Sequence, residues 1–115
     1  MGCQMKIEQQ QVGTVDVFTP NGPLVDQDGE AFSKTLLSRL KSPNPRVVVA
    51  MHEVPYVDSG ALEGLLAATD ELQDRASSLK LANVTPTCRE IFELTGLSGR
   101  FSFFKDVHDA VKSFL

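Results

Sequence analysis

The sequence predicts an α/β domain with a mixed, mostly parallel sheet of about four to five strands, an antiparallel N-terminal edge and about four helices. From residue 47 onward, short apolar runs alternate with amphipathic segments, and parallel strands need such helical crossovers. Before that, two extended segments flank Gly13, as in an antiparallel hairpin. The 115 residues are 42% hydrophobic and contain no repeat or long linker, which predicts one domain over residues 1–115.

The N-terminal part is predicted to hold a hairpin followed by a helix. The extended segments are residues 5–10 and 12–19, and residues 20–23 form a Pro-Asn-Gly-Pro turn cluster. A helix is expected to begin near Asp26, because acidic side chains favour the first turn, and to end before the prolines at 43 and 45. Its apolar positions share one face: Phe32, Leu36, Leu37 and Leu40.

The centre of the chain is a strand that leads into a second helix. A strand is predicted over residues 46–51, because residues 47–51 form an apolar run typical of a strand buried on both faces. The helix is predicted over residues 59–77. Asp58-Ser59-Gly60 favours the start of that helix. A serine hydroxyl is therefore expected where the strand gives way to the helix. The inward positions are Leu62, Leu65, Leu66, Thr69, Leu72 and Ala76.

The C-terminal part adds two more strands and two more helices. Strands are predicted at residues 79–83 and 101–104, with a helix between them that begins near Pro86 and stops at Gly96. Asp106 is expected to cap the last helix. The predicted inner face of the third helix is Cys88, Ile91, Phe92 and Thr95, and that of the last is Val107, Ala110, Val111 and Phe114.

Composition excludes several classes of function. The net charge of −4, from 11 Lys and Arg against 15 Asp and Glu, argues against binding nucleic acid or an anionic membrane. Two cysteines without a CxxC spacing provide no disulfide framework, which fits a reducing, cytoplasmic setting. No apolar stretch approaches the roughly 18 residues that span a bilayer, so membrane insertion is not expected.

The motifs that would indicate an enzyme are incomplete. His52-Glu53 lacks the second histidine of a zinc-protease motif, since position 56 is Tyr. Ser59 is not in the Gly-x-Ser-x-Gly of a hydrolase, and Gly60 and Gly64 are not followed by Gly-Lys-Ser/Thr. We therefore expect no catalytic residue, metal or cofactor, and a protein that is not an enzyme.

Two interpretations of Asp58-Ser59 remain open from the residues alone. Either side chain could cap the helix, a contribution of about 1 kcal/mol. Alternatively, a hydroxyl at an exposed helix N-terminus suits phosphorylation, because the new charge meets free N–H groups and the positive end of the helix dipole. A partner docked there would then face a phosphate beside Asp58 and Glu63.

Three blocks in order give the chain a resemblance to the STAS domains, in particular to the small bacterial anti-sigma factor antagonists. The blocks are residues 22–24, residues 47–59, and residues 81–86 leading to Leu-Thr-Gly-Leu at 94–97. The resemblance implies that Ser59 is phosphorylated by an anti-sigma factor that is also a serine kinase. The unmodified protein would bind this partner and free a sigma factor, phosphorylation would release it, and a serine phosphatase would reset it.

The resemblance also implies a docking surface around Ser59. We expect the partner-binding residues to be Tyr56, Val57, Asp58, Gly60, Ala61, Glu63 and Asp26. The chain departs from the family pattern in having Ala61 at the place of a glycine, where an added methyl could meet a partner backbone, and Val25 at the place of an aspartate. An alternative is a STAS module that works without phosphorylation, as a subunit on a lipid ABC transporter or in a stress-signalling scaffold.

Overall fold

The computed structural model describes residues 6–73, 75 and 77–115, and it confirms the α/β class. These residues form five strands, four α-helices and a short 3₁₀ helix. The strands are β1 Lys6–Val12, β2 Val15–Asn21, β3 Val47–Ala50, β4 Lys80–Ala82 and β5 Ser102–Phe104. The helices are α1 Asp26–Leu40, α2 Ser59–Gln73, α3 Pro86–Leu94 and α4 Val107–Lys112, with the 3₁₀ helix at Ser98–Arg100.

The five strands lie in one sheet in sequence order, β1-β2-β3-β4-β5. β1 pairs antiparallel with β2 through a turn at Gly13, whose φ of 63° suits glycine. The remaining pairs are parallel and are joined by α1, α2 and α3. Because parallel strands end at the same edge, the loops that follow β2, β3, β4 and β5 meet along that edge.

Helices cover both faces of the sheet, as the apolar run in β3 predicts. All four residues of β3 are buried. Val47 and Val49 pack in a core with α1, α2 and α3, whereas Val48 and Ala50 face a smaller core with Ala110 of α4. The alternation follows the two-residue period of a strand, so β3 is buried on both sides.

Small residues allow α1 and α2 to pack closely. A Cβ added at Gly64 would lie 1.8 Å from Ser33 Oγ, and one added at Gly29 would lie 3.3 Å from the Ala61 Cβ. The backbones can approach at these points because no larger side chain separates them. The two helix N-termini are therefore held side by side at the edge of the sheet.

Some sequence-based boundaries and burial assignments were wrong. Pro20 and Asn21 belong to β2 instead of a turn, because β1 keeps pairing with β2 as far as Asn21. α2 ends at Gln73, before the predicted residue 77, and the predicted inward position Ala76 lies outside the described residues. Thr95 is exposed because it follows the last turn of α3, where its hydroxyl donates to the Ile91 carbonyl at 2.7 Å.

Candidate functional site

The loops that follow β2 and β3 are joined directly by backbone hydrogen bonds. The Leu24 N–H donates to the Tyr56 carbonyl at 3.1 Å, and the Asp58 N–H donates to the Leu24 carbonyl at 3.1 Å. Leu24 and Val57 thereby form a single parallel bridge beyond the ends of the two strands. These bonds fix the positions at which α1 and α2 begin.

The Asp58 carboxylate links the two helix N-termini. Its Oδ1 accepts the Ala61 N–H at 2.9 Å, which caps α2, and its Oδ2 accepts the Asp26 N–H at 2.9 Å. Asp26 begins α1 with a φ of 51°, a left-handed conformation that aspartate tolerates better than most residues. One carboxylate therefore satisfies N–H donors from both helices.

These donors also keep Asp58 ionised. The N–H of Asp26 and then that of Ala61 lower the pKa of the carboxyl below its ordinary value of 3.8, and partial burial opposes them. Hydrogen bonds to the charged form outweigh the cost of desolvation because several N–H groups point at the same two oxygens. A fixed negative charge thus lies next to Ser59.

Ser59 is the first residue of α2, and it is exposed. Because Asp58 caps the helix, the Ser59 hydroxyl is not needed for capping, and among the described residues it has no hydrogen-bond partner. Of the two side chains that could cap, the structure assigns the role to Asp58. The serine hydroxyl at this helix start is therefore exposed and takes no part in the cap.

A groove of about 370 Å³ runs beside Ser59, between the N-terminal halves of α1 and α2. Its lining residues are Asp26, Glu30, Ser33, Asp58, Gly60, Glu63 and Gly64. Four of these are acidic, and Lys34 partly balances them through an ion pair with Glu30 at 3.2 Å. The surface around the serine is therefore mainly negative.

The predicted partner-binding residues are not equally accessible. Tyr56 is 49% exposed, and Gly60 and Glu63 are also at the surface. Val57 and Ala61 are 7% and 2% exposed, so their side chains lie in the core. The Ala61 methyl faces α1 and does not lie at the surface, where it was expected to meet a partner backbone.

Sequence reasoning missed three residues of this groove: Glu30, Ser33 and Gly64. Asp26, Glu30 and Ser33 are spaced to share one face of α1, which the sequence could have indicated. The sequence did not indicate that this face meets Gly64 of α2, because that depends on how closely the helices pack.

Two groups contain residue types that can bind metal ions. His52 and Glu53 are exposed neighbours, with 3.9 Å between Nε2 and Oε1. Ligand atoms of Asp106, His108 and Asp109 lie within 4.8 Å of one another, but the Asp106 carboxylate accepts the Asp109 N–H at 2.8 Å as the predicted cap of α4. Within the described ranges, no helix is both long and apolar enough to cross a membrane.

A family model described as the STAS domain matches residues 6–110 of the chain. Among curated proteins, no significant sequence match was found. Solved structures nevertheless share the fold over nearly the whole chain.

Three solved structures illustrate the range of similar proteins. An anti-sigma factor antagonist from Mycobacterium paratuberculosis has a TM-score of 0.81 at 20% identity, with 96% of this chain and 93% of that chain covered. The anti-sigma factor antagonist SpoIIAA in its unphosphorylated form has a TM-score of 0.78 at 18% identity, with 95% and 96% covered. A sulfate transporter family protein from Wolinella succinogenes has a TM-score of 0.70 at 17% identity, with 86% and 83% covered.

Proposed function

Because the chain belongs to the STAS domain family, we propose that it is an anti-sigma factor antagonist in a partner switch controlled by phosphorylation of Ser59. The observation that carries the proposal is the exposed hydroxyl of Ser59 at the start of α2, which has no hydrogen-bond partner in the described part of the chain and lies next to a cap supplied by Asp58. The similarity to SpoIIAA, a protein described in an unphosphorylated form, supports it. The partner would be an anti-sigma factor with serine kinase activity, and a serine phosphatase would reverse the modification in the cytoplasm.

In this switch the chain is a substrate and a binding protein, without being an enzyme. The kinase binds ATP and transfers its γ-phosphoryl group to the Ser59 oxygen, which breaks the bond between the β- and γ-phosphates and releases ADP and the hydroxyl proton. The hydroxyl can be modified without loss of the helix cap, because Asp58 makes the bond to the Ala61 N–H. The domain therefore stays folded in both states, and only its surface changes.

The electrostatics of the groove explain how phosphorylation would release a partner. A phosphate adds a charge of about −1.5 to −2 near neutral pH. Here the charge would be added next to Asp58, Asp26 and Glu63, where the surface is already negative. A partner that covers Ser59 would have to bury this hydrated charge, and each 1.4 kcal/mol of that cost is about tenfold in affinity.

The first test identifies the modified residue. The protein is incubated with its cognate kinase and ATP, and the product is mapped by mass spectrometry. We expect one phosphate on Ser59 and none in a Ser59→Ala variant, whereas Ser38→Ala, an exposed serine of α1, should be modified like the wild type. A phosphate on another residue, or its persistence in Ser59→Ala, would contradict the proposal.

The second test measures release. Ser59→Asp places one negative charge at the start of α2, and Ser59→Asn is the neutral control of similar shape. We expect Ser59→Asp to bind the kinase at least tenfold more weakly than Ser59→Asn by calorimetry. Equal affinities of the two variants would show that charge at this position does not control binding.

The similarity to a sulfate transporter family protein gives a second candidate, a STAS module that docks on a transporter without phosphorylation. A pull-down with this protein from the native cell distinguishes the transporter module from the partner switch. Recovery of a transporter subunit, such as the ATPase of a lipid ABC transporter, without a sigma-regulatory kinase would favour the module. Recovery of the kinase would favour the partner switch.

A further inference from the structure

A second groove lies at the same edge of the sheet, beyond the ends of β4 and β5. Its volume is about 480 Å³, within the range of small-molecule sites, and it is lined by Asn83, Pro86, Arg89, Phe103, Phe104 and Lys105 among others. None of these residues belongs to the groove beside Ser59. The groove therefore lies beyond the carboxyl ends of two neighbouring parallel strands.

Arg89 is held in a defined orientation within this groove. Its guanidinium carbon lies 4.0 Å from the centre of the Phe103 ring, so the cation packs over the aromatic face. The ring is partly buried and packs against the core through an edge contact with Phe92, with 5.6 Å between the centroids. A guanidinium packed on a ring keeps the N–H groups at its rim available as donors to an anion.

The cations of this groove are not neutralised by neighbouring acids. In the part of the chain that the structure describes, neither Arg89 nor Lys105 forms an ion pair, whereas Arg39 pairs with Asp16 and Arg100 with Asp70. α3 also begins at Pro86 on the groove wall, and its N-terminal end carries partial positive charge. The groove is therefore positive, in contrast to the acidic groove beside Ser59.

Apart from Asn83, the remaining wall is apolar. Phe104 is half-buried, and it lines the groove next to the two cations. We propose that this groove binds a small organic phosphate, with the phosphate held by Arg89 and Lys105 and the organic part packed against Phe104. A phosphate matches the site better than a carboxylate does, because a dianion balances both cations and its oxygens accept from the planar fork of Arg89.

The test uses phenyl phosphate, titrated into the full chain and followed by the backbone amide signals in heteronuclear NMR. We expect saturable shifts at residues 83–89 and 103–105, with a dissociation constant of about 1 mM or lower. Inorganic phosphate should bind more weakly, because it lacks the ring that packs on Phe104, and phenol should give no saturable shift.

Substitutions of Arg89 and Lys105 test whether these two cations hold the phosphate. Arg89→Gln and Lys105→Gln should each weaken binding by about tenfold, the usual effect of losing one charged hydrogen bond. Arg89→Lys keeps the charge without the planar fork, and it should bind between Arg89→Gln and the wild type. Lys112→Gln, an exposed lysine of α4 outside the groove, is the matched control and should bind like the wild type.

Three outcomes of these titrations would contradict the inference. Shifts that do not saturate, or that are unchanged in Arg89→Gln, would show that the groove does not bind phosphate. Inorganic phosphate binding as tightly as phenyl phosphate would refute the role of Phe104. None of these measurements involves Ser59 or its kinase, so they are independent of the proposed switch.

Discussion

Replacement of Asp58 by alanine would test how the two helix N-termini are held together. The variant loses the cap bond to the Ala61 N–H, worth about 1 kcal/mol, and the bond to the Asp26 N–H, worth about 1 kcal/mol net. We therefore expect the free energy of unfolding to fall by about 2 kcal/mol, which moves the urea midpoint by about 1 M. The chain has one Tyr and no Trp, so far-UV circular dichroism is the suitable signal.

Asp106→Ala is the matched control, because Asp106 caps α4 through one hydrogen bond, to the Asp109 N–H at 2.8 Å. It should cost about 1 kcal/mol, half of the expected loss at Asp58. The difference between the two losses of stability measures the contribution of Asp58 Oδ2, which accepts the N–H of Asp26 in α1. If Asp58→Ala costs no more than Asp106→Ala, the link between the two helices contributes nothing to stability, and our reasoning is wrong.

The same carboxylate predicts a pH dependence. The pKa of Asp58 is lower in the folded protein than its ordinary value of 3.8. A depressed pKa adds stability above the unfolded value, and this stability is lost as the pH falls through the folded value. The stability difference between wild type and Asp58→Ala should therefore be constant near neutral pH and shrink below about pH 4. A difference that stayed unchanged through the acid range would contradict the assignment.

Two further substitutions test the packing that supports the site. Gly64→Ala should destabilise by about 1–2 kcal/mol, since the clash with Ser33 exceeds the gain in helix propensity, whereas Gly99→Ala, with open space around it, should be nearly neutral. Equal effects in thermal melts would refute the close approach of α1 and α2. Thr69→Val should cost about 2–3 kcal/mol, because the buried Thr69 hydroxyl accepts the Leu79 N–H at 3.0 Å. A loss below about 1 kcal/mol in urea unfolding would show that this bond is dispensable.

Local signals in the chain were sufficient for most of the fold. The two-face burial of β3 followed from its apolar run, the turn at Gly13 from the hairpin pattern, and the cap of α4 from Asp106. The predictions were wrong where strand pairing or the length of a helix overrides the local preference of the residues. β2 continues through Pro20 because β1 pairs with it there, and Thr95 is exposed because α3 ends one residue earlier.

Residue order alone was enough to predict that a serine begins α2, after a buried strand and next to an acidic residue, because these are properties of neighbours in the chain. Which side chain caps that helix became clear from the contacts between distant segments. Asp58 does so while also bonding to Asp26, 32 residues earlier, and this leaves the hydroxyl of Ser59 exposed. The packing of α1 against α2 likewise places Ala61 against α1 and brings the carboxylates near the two helix N-termini into one groove. These features depend on contacts between distant segments, which residue order and periodicity do not specify.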